Sequence, residues 1–138
     1  MATVSGLFVS PGKGSGLSTP VERARAVAGH GFEGCGHAGR ERREVLFASA
    51  EHLEALGVEP GAIRENVTVA GADVQAWEIG QRVRAGGAVF EITMVCEPCH
   101  KMDALREGLR AQLDGKRGML AVVVESGEVA LGDELLPL

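Results

Sequence analysis

The chain has no tyrosine, and aromatic residues amount to only 4% of it, so its interior has to be built chiefly from Val, Leu, Ile and Ala. Long hydrophobic runs are missing too: none approaches the roughly 20 apolar residues that span a bilayer, which argues against a membrane partner. Met1 to Pro11 lacks a basic region followed by an apolar stretch and a small-residue cleavage site. No secretory signal is read there, and the expected compartment is the cytoplasm. Cysteine is scarce and odd in number, so Cys35, Cys96 and Cys99 are expected to be thiols in a reducing cytosol. Nor is there an excess of positive charge. A formal net charge of −5 argues against a nucleic-acid partner, because nonspecific phosphate binding needs a basic surface.

What the chain does have is glycine, 20 residues in 138, and so many tight turns. The balance of 45% hydrophobic and 24% charged residues is that of a globular protein, and the length fits one domain over residues 1–138 with a single core. A turn-rich, aliphatic composition points to mainly β structure with short helices. Thr3 to Ser10 reads as a strand, followed by a glycine-rich loop (11–16) whose Lys13 lacks the spacing of a nucleotide-binding P-loop. Val21 to Val27 is compatible with strand alternation or a short helical turn, and a strand is the expectation. Five glycines between Gly29 and Gly39 exclude a helix and imply an irregular loop presenting His30, Cys35 and His37.

Glu44 to Ala48 reads as a short strand, with Ser49 as N-cap of a helix that Gly57 stops. Glu65 to Ala70 alternates as a half-buried strand, and Asp73 to Glu78 suits a helical turn. Gly86-Gly87 offers two residues of positive φ for a tight hairpin, and a second hairpin is expected to turn near Ser126-Gly127. The segments IGQRVR (79–84) and LGDELL (131–136) resemble each other and suggest equivalent strands entered through a glycine kink. Met102, Leu105, Leu109 and Leu113 fall at spacings of three and four, one helical stripe ended by Gly115.

The chemistry concentrates in Cys96-Glu97-Pro98-Cys99-His100. Covalent haem attachment uses this pattern but belongs to exported proteins. A zinc site would combine the finger-like Cys96 and Cys99 with Cys35 and His37. A redox dithiol would pair Cys96 with Cys99. A single reactive thiol at Cys99 would be favoured as thiolate by the helix start that follows, aided by His100 or Lys101. Against these, Cys35 and Cys96 can simply be small buried hydrophobes. Arg40, Arg42 and Arg43 make either a local anion site or a solvated basic turn. His37, Arg43, Arg64 and Asn66 are the remaining polar candidates; an arginine fork suits phosphate or carboxylate, yet Arg64 can equally be a rim charge and Asn66 a backbone partner at a strand start.

Several segments, taken together and in order, resemble the MOSC family, named for the C-terminal region of molybdenum cofactor sulfurase: GFEGCGHAG with RREVLFAS, then RENVTV, then EPCHKM, then RGMLAVVVESGEV followed by Gly132-Asp133. The resemblance implies a closed or partly closed, largely antiparallel β-barrel and makes Cys99 the family's cysteine. It implies a sulfur carrier using Cys99 as a persulfide, or a molybdenum-cofactor protein using Cys99 as metal ligand and Arg43, Arg64, Asn66 and Lys101 around the cofactor, with His37 beside the thiol. The activities implied are sulfur transfer or a part in molybdenum-dependent reduction of N-hydroxylated compounds. A chain of this length leaves no room for a desulfurase, so sulfur is expected from a cysteine desulfurase or another donor, or electrons from redox partners, and no covalently bound pyridoxal phosphate is expected. Cys35 departs from the family pattern, standing where many relatives have aspartate. That keeps open a non-catalytic zinc or dithiol binding module built on Cys35, His37, Cys96 and Cys99.

Overall fold

The computed structural model describes residues 1–10 and 18–138; the glycine-rich loop expected at 11–16 lies outside them. Seven strands close into a barrel: β1 (Ala2–Val9), β5 (Val45–Ser49), β6 (Val67–Ala70), β7 (Arg82–Ala85), β8 (Ala88–Val95), β9 (Met119–Glu125) and β11 (Glu134–Pro137). Around the ring the order is β1-β6-β5-β9-β8-β7-β11, and β11 returns to β1 through Ala2↔Leu135 and Thr3↔Glu134. Closure leaves the ring without a free edge. Every pairing in it is antiparallel except β5 with β6. The two-residue β2 (Thr19–Pro20) pairs with the end of β1. A separate three-stranded sheet joins β3 (Arg23–Val27), β4 (Gly31–Phe32) and β10 (Gly127–Ala130) in the order β10-β3-β4, and its Ala26, Phe32 and Val129 are part of the barrel's core.

Alternation along the strands sorts side chains between two environments. On β5, Val45 and Phe47 face the barrel interior, while Leu46 and Ala48 join apolar clusters outside it. The few aromatics gather in one place: Phe90 meets Phe47 edge-on at 5.2 Å and Phe32 at 5.9 Å, and Trp77 closes on Phe47 at 5.6 Å. Outside the barrel, Ala48, Leu53, Val58, Ile63, Met102, Leu109 and Leu113 form a second cluster that seats α1 (Ala50–Ala55), α2 (Lys101–Leu105) and α3 (Leu109–Gln112).

Several local expectations change in the assembled chain. The helical stripe from Met102 to Leu113 is two short helices, because Gly108 adopts φ +83° between them; Leu105 falls out of the stripe and is 51% exposed. No hairpin forms at Ser126-Gly127: β10 leaves β9 and pairs with β3 instead. In the β7–β8 turn only Gly86 takes positive φ. Ser49 precedes α1 but does not cap it through its side chain; its hydroxyl donates to Ala72 O and accepts from Val74 N. The strand expected to be half-buried, β6, is buried on both faces, with Thr68 donating to the carboxylate of Glu65 at 2.8 Å. The resemblance between 79–84 and 131–136 does correspond to structure: Gly80 and Gly132 both adopt positive φ, and the strands after them, β7 and β11, are antiparallel neighbours. Among the described residues no helix is long and apolar enough to cross a membrane.

Candidate functional site

The parallel pairing of β5 with β6 places residue 66 between two neighbouring strands, and Asn66 stitches both. Its backbone N–H donates to Leu46 O and its carbonyl accepts from Phe8 N. Its side-chain Oδ1 accepts from Leu46 N at 3.0 Å, and Nδ2 donates to Phe8 O at 3.1 Å and to Cys35 Sγ at 3.2 Å. His37 Nδ1 also lies 3.3 Å from Oδ1, a contact in which the ring nitrogen is the donor. Asn66 is therefore buried and fully committed. It holds the site together from behind and is not among the residues that line the cleft.

Cys35 is buried under this network instead of being presented by its loop. The turns at Gly34 and Gly39, with φ +75° and +77°, fold the segment back so that Gly36 N reaches Ser10 O and Ser10 N points at Cys35 Sγ, 3.4 Å away. Burial pushes the Cys35 thiol up, but hydrogen bonds from His37, Ser10 and Asn66 outweigh it and bring the thiol down from 9.0 to about 7. The sulfur thus sits in a donor-rich nest that a carboxylate would also suit.

On the outer side of this wall is a cleft of about 300 Å³ between the 37–46 segment, the 96–105 segment and the start of β9. Cys96 and Cys99 line it, together with Leu46, Met102, Leu105 and Leu120. Its ionisable lining is otherwise basic, from His37, Arg40, Arg43, Arg64, Lys101 and Arg117, and among the described residues no carboxylate lines it. Cys99 is partly exposed. Cys96 is buried against Leu46 and Leu120; burial pushes its thiol up, and the charges of Arg117 and Arg43 pull part of that shift back. Arg64 lies in the left-handed region at φ +66°, a costly conformation for a side-chain-bearing residue, and donates to Ser10 Oγ at 2.9 Å. Of the neighbouring arginines, Arg40 and Arg43 turn into the cleft, whereas Arg42 is spent on Thr93 O.

Arg117 is the residue that sequence reasoning missed. It is only 8% exposed, and among the described residues its Nε and Nη1 have no hydrogen-bond partner. A charged residue opening the apolar run Met119 to Val124 was the signal that could have singled it out. Close by, burial pushes the Glu65 carboxyl up, against hydrogen bonds from Gly61 N and Thr68 Oγ1 and the attraction of Arg117.

The structure brings together His37, Arg43, Arg64, Lys101 and Cys99 in one cleft and sets Asn66 behind it. Cys35 and the Cys96–Cys99 pair lie on different sides of the wall. Among the described residues no group of three or more His, Cys, Asp or Glu side chains is arranged to hold a metal ion, so the zinc set of Cys35, His37, Cys96 and Cys99 is not assembled. The helix after Cys99 is also only five residues long, too short for a macrodipole to support a thiolate there to any great extent.

The model of the MOSC domain family matches residues 35–136. The chain belongs to the MOSC domain family. Three solved structures share the fold of this MOSC domain. YuaD from Bacillus subtilis matches with a TM-score of 0.82 and 22% identity, over 97% of this chain and 93% of that one. YiiM from Geobacillus stearothermophilus matches at 0.81 and 20%, over 100% and 75%, and YiiM from Escherichia coli at 0.77 and 20%, over 100% and 70%. At these identities the likeness speaks for the fold alone. A search of curated proteins by sequence returned no significant match.

Proposed function

We propose that this MOSC domain is a sulfur carrier in which Cys99 holds a sulfane sulfur as a persulfide. The observation that carries the reading is the position of Cys99, a partly exposed thiol opening onto a cleft that, among the described residues, is lined by five Arg and Lys side chains and by no carboxylate. The thiolate is the form that attacks sulfur and binds soft metals. A persulfide anion formed there is stabilised by the same cations. His37, whose Nδ1 meets Asn66 Oδ1, lines the same cleft and supplies an imidazole to take up the thiol proton. Cys35 fills the aspartate's place in the family pattern by accepting hydrogen bonds from Ser10 and Asn66. Sulfur then comes from a donor such as a cysteine desulfurase and leaves to an acceptor that enters the cleft.

The same lining suits the molybdenum cofactor that the family implies. The unpartnered nitrogens of Arg117 and the basic walls fit a group bearing phosphate. Cys99 would supply the metal ligand, with Arg43, Arg64 and Lys101 holding the phosphate. When bound, the cofactor supplies a two-electron redox centre suited to reducing N-hydroxylated compounds.

Intact-mass spectrometry of the purified protein, with and without reductant, tests the carrier reading. A reductant-sensitive gain of one sulfur atom is expected on the wild type after incubation with a cysteine desulfurase and cysteine, and none on Cys99→Ser. Equal sulfur loading of the two proteins sinks the assignment to Cys99.

A further inference from the structure

Arg117 holds a positive charge in the cleft wall with two guanidinium nitrogens that no described residue satisfies. Leaving such a group buried and unpaired is expensive, so its presence signals a partner that arrives from outside. Burial pushes the Glu65 carboxyl up, against the attraction of Arg117, and Glu65 Oε1 likewise has no hydrogen-bond partner among the described residues. Arg40, Arg43, Arg64 and Lys101 face the same space. A guest of high negative charge and small size is what this lining recognises: 300 Å³ lies at the lower end of ligand pockets. Cys99 adds the further requirement that the guest offer an electrophilic atom and a stable anionic leaving group. Phosphate and sulfate satisfy the charge but not the chemistry.

We infer that the cleft takes the thiosulfate dianion as a direct sulfur donor to Cys99. The sulfonate oxygens sit against Arg117 and its basic neighbours, and the outer sulfur faces the thiol. The Cys99 thiolate attacks that sulfur, a new S–S bond forms, and the old S–S bond breaks with its electron pair leaving on sulfite: Cys99–S⁻ + ⁻S–SO₃⁻ → Cys99–S–S⁻ + SO₃²⁻. The transferred sulfane sulfur keeps its oxidation level, the cysteine sulfur is oxidised to that of a disulfide sulfur and the sulfonate sulfur is reduced to sulfite, so no other oxidant is needed. The guanidinium groups follow the leaving sulfite, whose charge grows as the bond breaks, and this is the catalytic use of their position. Cys96, held towards its neutral form by burial, does not compete for the donor. The inference rests on the carrier reading of Cys99 and names its donor.

The test is to incubate the full chain with thiosulfate alone and follow sulfite release and the mass of the Cys99 peptide. Stoichiometric sulfite and one added sulfur on Cys99 are expected, both lost in Cys99→Ser. Arg117→Met and Lys101→Met should each raise the thiosulfate concentration for half-maximal loading about tenfold. Arg23→Gln, which removes a surface ion pair with Glu128, should leave that concentration unchanged. If Arg117→Met does not fold, Lys101→Met at its exposed position carries the charge test. Loading that is indifferent to both cleft variants overturns the inference, because the cleft is then not the binding site. Cys99 loaded by a cysteine desulfurase with cysteine but not by thiosulfate overturns the donor while leaving the carrier reading standing. Loading by neither overturns both.

Discussion

Cys35 shows how little a residue's type says before its partners are known. A glycine-rich loop was expected to display it, yet the chain folds it under Asn66 and gives its sulfur the hydrogen bonds of Ser10 and Asn66. With the folded thiol at about 7 and the ordinary value at 9.0, the native state binds the proton less tightly than the unfolded chain. The resulting stabilisation is complete above the unfolded value, declines as pH falls between the two, and is gone below about 7. Cys35→Ala should therefore lose stability relative to the wild type by an amount that grows between pH 7 and 9, by on the order of 2 kcal/mol. Urea midpoints at several pH values read this directly, and a difference independent of pH would mean that Cys35 stays a thiol. Cys99 was singled out by its own segment, and it lines the cleft. Arg117 was not, since only the burial of its guanidinium without partners separates it from Arg110 or Lys116 on the surface.

The sequence carries the elements well where periodicity speaks and poorly where glycine decides. Strand β1 and the β7–β8 hairpin appear where alternation and turn residues put them. The helix beyond Cys99 does not, because Gly108 with φ +83° interrupts an otherwise regular stripe, and a spacing rule cannot tell a tolerated glycine from a break. Gly127 illustrates the opposite case: its φ is ordinary, but a Cβ there would lie 2.1 Å from Gly87 O and 2.2 Å from Gly87 C. Nothing lies within 4 Å of a Cβ at Gly108, so alanine there meets only the backbone cost of about 1 kcal/mol. Gly127→Ala should lower the melting temperature more than Gly108→Ala, since backbone must move to admit it. Thermal unfolding of the two variants compares them, and equal shifts would show that the β7–β8 turn yields easily to β10.

At the scale of the whole molecule, the sparse aromatic content means that a few rings carry much of the core. Phe90 is fully buried and packs between Phe32 of the small sheet and Phe47 of β5, so Phe90→Ala should cost about 3–5 kcal/mol, a large part of what a domain of this size has to lose. A denaturant midpoint that hardly moves would show that the barrel closes without this contact. Sequence alone determined the class of fold, because glycine frequency, aliphatic alternation and turn residues are local properties that bias each segment before any contact forms. The partnership of β10 with β3, the parallel step between β5 and β6, and the convergence of Arg40, Arg43, Arg64, Lys101 and Arg117 around Cys99 came only with the tertiary structure. Those features depend on which distant segments meet when the barrel closes, and a charge becomes a binding group only when burial removes the water that would otherwise satisfy it.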